Sequence, residues 1–236
     1  MDYFLNEQQV MIRDLARQIA VEKVLPVRAE LDEREEFRWE IMKERASADH
    51  FAIFVPEAYG GLGAGILDMC LAVEELSRAC AGVAVPFASS ALGAFPIILF
   101  GSEEQKAKYL PDIASGKKPA ALGPTEAGAG SDAAAMQTTA RLDGDHYVLN
   151  GTKQWITNGG EAETYSIIAM TNKARGTRGA SAFIVEKGTP GFSFGKKEKK
   201  MGIRSSATRE LIFEDCRVPR ENLIGREGQG FIAAIS

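Results

Sequence analysis

Two hydrophobic rhythms divide the chain. Through about residue 118, apolar residues recur at helical spacing, one face of each segment marked for burial. Asn6 stands as an N-cap, with Gln9 as its capping-box partner and Leu5 and Val10 at staple positions. Met11, Ile12, Leu15, Ala16 and Ile19 follow as an apolar face, and Pro26 lies near the end of the run. A second helix is predicted over Trp39–Ala48. It leads into the apolar run Phe51–Val55 and a turn at Pro56–Gly61. Further helices are predicted over Asp68–Cys80 and Ser89–Phe100. A fifth follows Ser102, with Gln105 in the capping-box position, and frays at Ser115-Gly116.

From residue 119 the rhythm shortens to two. Gln137–Leu142 and His146–Asn150 flank Asp143-Gly144, a hairpin signal. Strand-like runs follow at Thr164–Met170, Ser181–Glu186, Phe192–Phe194 and Glu210–Phe213, separated by turn residues. These predict an antiparallel β-barrel or sandwich. After a loop at Gly225–Gly230, Phe231–Ile235 reads as the first turn of another helix, too short to bury a face. The expected fold class is therefore α+β and multidomain. Residues 1–118 form a helical domain, 119–228 a β-domain, and 229–236 the start of a further helical domain that this chain lacks.

Composition narrows the function classes. The 236 residues are 45% hydrophobic and 25% charged, ordinary for a globular protein. The net charge of −4 argues against a nucleic-acid partner, which would want a basic face. Cys70, Cys80 and Cys216 form no CxxC pair, and His50 and His146 lie far apart, so no metal site is expected. MDYFLNEQQV has neither a basic nor an apolar leader region, so a cytoplasmic location is expected. No apolar run approaches the roughly 18 residues of a membrane span, the longest candidate being Ala94–Phe100.

Two segments carry candidate chemistry. In Leu122–Asp132, backbone amides around Gly128 and Gly130 can approach an anion closely, and Thr125 and Ser131 add hydroxyls. Gly128, Gly130 and Ala133 fit a loose dinucleotide fingerprint. The strand–loop–helix context that fingerprint needs is missing, because Pro124 precedes it and a strand follows. In Asn150–Gly160, Trp155 and Thr157 share one face of a strand. There an indole can stack on a planar heterocycle while a hydroxyl bonds its edge.

Together with VPEAYGG (55–61), FGSEEQKAKYLP (100–111), TEAGAGSD (125–132), LNGTKQWITNGG (149–160), AFIVEKGTPG (182–191), MGIRSSATRELIFEDCRVP (201–219) and NLIGREGQGF (222–231), these segments resemble the acyl-CoA dehydrogenase family over essentially the whole chain, most closely its short-chain, butyryl-CoA-type branch. The resemblance implies an N-terminal helical domain, a middle β-domain, a C-terminal four-helix domain and FAD. It implies that Leu122, Gly123, Pro124, Thr125, Gly130 and Ser131 line the flavin and its pyrophosphate. Thr125 would face the pyrimidine side, and Ser131 would sit between the phosphates and the acyl-CoA thioester. Trp155 would stack on the ring, beside Ile156, and Thr157 would bond near N5. The implied reaction is α,β-dehydrogenation of an acyl-CoA to the trans-2-enoyl-CoA in fatty-acid β-oxidation. Electrons would pass to an electron-transfer flavoprotein, and the full-length protein is expected to be a homotetramer.

The sequence departs from the family at Ala127, where proline is usual, and at Pro124, where an aliphatic residue is usual. Asp49-His50 replaces the glycine that usually ends the second helix, so one of the two is expected to take a left-handed backbone. The family's catalytic glutamate belongs to the C-terminal domain, so none of these residues is assigned that role, and these 236 residues alone are expected to be inactive. Glu126, beside the flavin loop, is read as structural. An acyl-CoA oxidase and a non-catalytic flavin-binding partner subunit are the alternative readings.

Overall fold

A computed structural model describes residues 4–236. Residues 1–3, within the segment read above for a leader, lie outside the described residues. Five helices fill the first half: α1 (Glu7–Ile19), α2 (Arg28–Arg34), α3 (Trp39–Ser47), α4 (Ile66–Phe100) and α5 (Glu103–Ala114). Both expected capping boxes form, Asn6 with Gln9 and Ser102 with Gln105. Each satisfies two helix-end amides that would otherwise be orphaned.

The run α4 is two helices joined across Cys80, whose backbone is extended (φ −160°, ψ 111°); they answer to the two anticipated over Asp68–Cys80 and Ser89–Phe100, with Pro86 and Pro96 inside the second. Arg28 donates to the Ala79 carbonyl at the kink (3.3 Å). One expectation needs correcting, that nothing is long and apolar enough to span a bilayer. By length and composition α4 passes, with mean hydropathy 2.0 over its most apolar window, yet 61% of that window is buried inside the protein. It is the central helix of the core, with Leu76, Ala84, Phe87, Ala91, Ala94 and Ile97 fully inaccessible.

Asp49 takes the expected left-handed conformation (φ 54°, ψ 19°), and His50 opens the short turn that follows. A residue with a Cβ is strained there, and glycine is not. Asp49→Gly is expected to raise stability by roughly 0.5–1 kcal/mol. A urea midpoint no higher than the parent's would refute this.

The second half is one curled sheet of eight strands: β1 (Ala120–Gly123), β2 (Thr139–Asp143), β3 (His146–Thr157), β4 (Thr164–Met170), β5 (Ala180–Glu186), β6 (Phe192–Lys197), β7 (Thr208–Pro219) and β8 (Leu223–Ile224). The order is β6-β7-β3-β2-β4-β5-β8, mostly antiparallel. β1, which carries no periodic signal of its own, lies off that path and pairs parallel with β4. The inner face is filled by Tyr147, Tyr165, Phe183, Phe192, Leu211 and Phe213 among others. Tyr147 on β3 meets Phe183 on β5, ring centroids 4.8 Å apart, although those strands are not neighbours. The sheet therefore folds over on itself.

β4 is buried on both faces: Tyr165 and Ile167 point into the sheet's own core, Ile168 and Met170 into the helical core. This is why its sequence is continuously apolar rather than alternating. α4 lies directly on this layer. Ser166 Oγ donates to the Gly93 carbonyl (2.7 Å), and a Cβ on Gly93 would come within 2.5 Å of the Ala121 amide nitrogen. Two further ties join the halves. Trp39 Nε1 donates to Glu161 (3.1 Å), and Arg204 pairs with Glu35 (2.9 Å). The last helix, α6 (Gly230–Ile235), packs on β5, with Gly230 tight against Ser181.

Candidate functional site

The two candidate segments are neighbours in space. β1 ends at Gly123, and the loop 124–138 leads on to β2. Gly123 is buried, its missing Cβ leaving room for Ile167, while Leu122 is half-exposed. Glu126 and Ala129 exchange two backbone hydrogen bonds (3.1 and 3.0 Å), closing a tight turn around Ala127-Gly128. The Gln154 amide donates to the Thr125 carbonyl (2.9 Å), which sets the loop against β3.

The backbone of β3 is irregular there. The register with β7 shifts between Lys153 and Ile156, and Trp155 adopts φ 57°. This bulge adds a residue to the strand. Lys153 and Ile156 both stay buried, while Trp155 is 53% exposed and Thr157 half-buried. Trp155 and Thr157 are thus both more open than Ile156 between them, across a bulge that the simple alternation did not include. Beyond it, Asn158 (φ 63°, fully buried) donates to the carbonyls of Pro86 (2.8 Å) and Ala120 (3.1 Å), bolting this end of β3 to α4 and β1. Ser89 Oγ donates to the Thr157 carbonyl (3.4 Å).

What these segments present is a set of unused polar groups. Among the described residues, the hydroxyls of Thr125, Ser131 and Thr157, the indole N–H of Trp155 and the amides of Gly128, Gly130 and Ser131 make no hydrogen bond. Open space adjoins the backbone of both glycines: a Cβ built on Gly128 or Gly130 meets nothing within 4 Å. Thr125, Pro124 and Gly130 also line a cleft of about 150 Å³ whose far wall is Phe231, Ala234 and Ile235 of α6. Trp155, Ile156 and Thr157 are not part of that cleft. Ile156 is 3% exposed, so its backbone rather than its side chain is what it can offer a ligand.

Beneath the loop lies a buried ion pair that the sequence did not announce. Lys153 is 0% exposed, and its Nζ donates to Glu126 Oε1 (2.8 Å) and the Pro124 carbonyl (3.1 Å). Glu126, 7% exposed, also accepts from the amides of Gln137 (2.6 Å) and Thr138 (3.0 Å). Burial pushes the Glu126 carboxyl up, but the bonds from Lys153, Thr138 and Gln137 outweigh it and hold its pKa low. Burial likewise pulls the Lys153 ammonium below the ordinary lysine range, against the opposing pull of Glu126. Glu126 is fully engaged in holding the loop, as its structural reading anticipated. Lys153 sits in a strand otherwise read for its tryptophan and threonine, and no local pattern marks it as buried.

A helical layer against a curled sheet, with a glycine-rich loop and an exposed indole over one end, defines a β-domain suited to a flat heterocycle with a phosphate tail. The chain belongs to the acyl-CoA dehydrogenase family: residues 6–117 match its N-terminal domain and residues 121–216 its middle domain. The short-chain specific acyl-CoA dehydrogenase of Clostridium acetobutylicum is 49% identical over 236 residues, covering 100% of this chain and 62% of that protein. A chain in the structure of the electron transferring flavoprotein of Acidaminococcus fermentans, studied for flavin-based electron bifurcation, is 50% identical with a TM-score of 0.97. It covers 100% of this chain and 62% of its own. An acyl-CoA dehydrogenase from Bacillus anthracis complexed with FAD is 44% identical with a TM-score of 0.90, over 98% of this chain and 40% of its own. The chain thus spans less than two thirds of the length of these relatives.

Proposed function

We propose that the protein binds FAD between the 122–131 loop and the Trp155–Thr157 bulge, and in its full-length form dehydrogenates a short-chain acyl-CoA at the α,β-position to the trans-2-enoyl-CoA. The observation that carries this reading is the set of unpartnered donors and hydroxyls around an open indole face. Half-buried polar groups are ordinarily paired, so the free hydroxyls of half-buried Thr125 and Thr157, close to exposed unpaired backbone, suit a polar, planar ligand. Backbone amides at Gly128, Gly130 and Ser131 suit a pyrophosphate. The Trp155 face suits ring stacking, and Thr125 and Thr157 suit the edges of a heterocycle carrying nitrogens and oxygens.

When bound, FAD supplies the two-electron acceptor for the β-hydrogen. The chain's own residues hold and orient. Ser131, exposed at the loop's end, would serve both the cofactor's phosphates and the thioester end of the substrate. Trp155 walls the ring on one side. The residue that removes the α-proton is not assigned among these 236. The short-chain relative supports a short acyl group, and the flavoprotein-linked relative supports an electron-transfer flavoprotein as acceptor.

The test is anaerobic addition of butyryl-CoA to the purified full-length protein. Bleaching of the flavin absorption band is expected, with reoxidation fast by an electron-transfer flavoprotein and slow by oxygen. No bleaching would sink the reading, and rapid reoxidation by oxygen would make the protein an oxidase. Trp155→Ala is expected to lower FAD retained through gel filtration by at least half, the stacking contact being worth about 1 kcal/mol. Equal FAD content in variant and parent would remove Trp155 from the site.

A further inference from the structure

Resting on the FAD reading, we propose that Lys153 and Glu126 are positioning residues for the cofactor: the buried pair sets the glycine loop and the Trp155 bulge in fixed relation to one another. Neither side chain has to touch the ligand. Three contacts join residues 124–126 to residues 153–154. Lys153 Nζ bonds the Pro124 carbonyl (3.1 Å) and Glu126 Oε1 (2.8 Å), and the Gln154 amide bonds the Thr125 carbonyl (2.9 Å). Two of the three come from one ammonium group. The residue after Gln154 is Trp155, held at φ 57°, so its direction follows from where 153 and 154 are pinned. The other carboxylate bonds, from the amides of Gln137 and Thr138, fix the loop's return into β2. The hydroxyl of Thr125 and the indole of Trp155 are thereby indexed to a single point inside the sheet.

Stability alone does not account for the pair. Lys153 enters a core otherwise built from Ala121, Ile156, Ile167 and Leu211. Replacing a buried ion pair by apolar groups of similar size is often neutral or stabilising, whereas removing one partner is strongly destabilising. A pair that adds little stability but ties both ends of a ligand loop to the neighbouring strand is what a preorganised site requires: side chains beneath the contact residues that lock their geometry.

The experiment separates position from stability. Glu126→Gln, Lys153→Met and the double variant are made in the full-length protein. FAD affinity is read from quenching of flavin and tryptophan fluorescence, and apoprotein stability from urea midpoints. Each single variant is expected to be less stable than the parent, Glu126→Gln because it leaves the ammonium without a counter-charge and turns an amide NH2 toward the Gln137 or Thr138 N–H. The double variant is expected to recover the parent's midpoint while binding FAD about tenfold more weakly. A double variant that recovers both midpoint and FAD affinity overturns the proposal, because the pair would then be structural only. If the double variant does not fold, Glu126→Asp decides: it keeps the charge but shortens the arm by one methylene. Weaker FAD binding in a folded protein supports the proposal, and unchanged binding overturns it. A parent that retains no FAD overturns the underlying reading and this one with it.

Discussion

Arg45→Met is expected to raise the unfolding free energy at pH 7 by roughly 1–4 kcal/mol. Arg45 projects from α3 into the helical core, where it is 0% exposed and, among the described residues, has no carboxylate beside it. Its Nη1 donates to the Val83 carbonyl (3.2 Å), but Nε and Nη2 find no partner. The guanidinium lies over the Phe87 ring, 4.2 Å from its centroid, and 5.5 Å from that of Phe51. A desolvated cation–π contact returns about 2 kcal/mol, less than the several kcal/mol that burying an uncompensated cation costs. Burial drags the Arg45 pKa down to about 9. The sign follows. Below about pH 9 both folded and unfolded chains carry the proton and the full penalty applies. It fades only as pH rises toward the ordinary arginine value, where the unfolded chain alone holds the proton. Methionine keeps the length of the stem and its fit against the two rings. Urea titration of parent and variant checks this, and a lower midpoint for Arg45→Met would mean that the guanidinium is better satisfied than its contacts indicate.

Acidification from pH 7 to 5 is expected to remove about 2 kcal/mol of stability through one side chain, His50. It is 1% exposed and neither ring nitrogen has a partner. Burial first, and the Arg45 charge second, push its pKa down to about 3 from 6.5. Between those values the unfolded chain binds a proton that the folded chain refuses, so stability falls as pH drops through that window. The carboxylates held low by their partners, such as Glu75 by Arg17, lose their contribution only as pH falls below the ordinary carboxylate range. The interval from 7 to 5 therefore isolates the histidine. His50→Leu is expected to flatten the slope. Stability curves for parent and variant that run parallel across this interval would refute it. Because Arg45 is one cause of the His50 shift, the two substitutions are expected to be non-additive.

Much of the architecture was readable because its signals are local. Asn6 with Gln9 and Ser102 with Gln105 announce helix starts within four residues, and Asp143-Gly144 announces a hairpin. The sequence misled where a local rule met tertiary context. The second helix of α4 runs through both Pro86 and Pro96, and the break falls at Cys80, a residue with no breaking tendency of its own. β1 has four residues and no alternation, because one face meets α4 and the other the sheet's interior. At the candidate site the glycines, hydroxyls and indole were visible as residue types. The bulge at Trp155 was not, since it depends on pairing with β7. The Lys153–Glu126 contact links positions 27 residues apart through a lysine that composition alone would place in water.

The two tryptophans stand in contrasting surroundings, Trp39 half-buried with its N–H on Glu161 and Trp155 largely open. They amount to two built-in optical reporters: emission from the first tracks whether the helical and sheet layers stay joined, and emission from the second tracks what lies over the loop. One spectrum can therefore tell a protein coming apart from a protein changing its occupant.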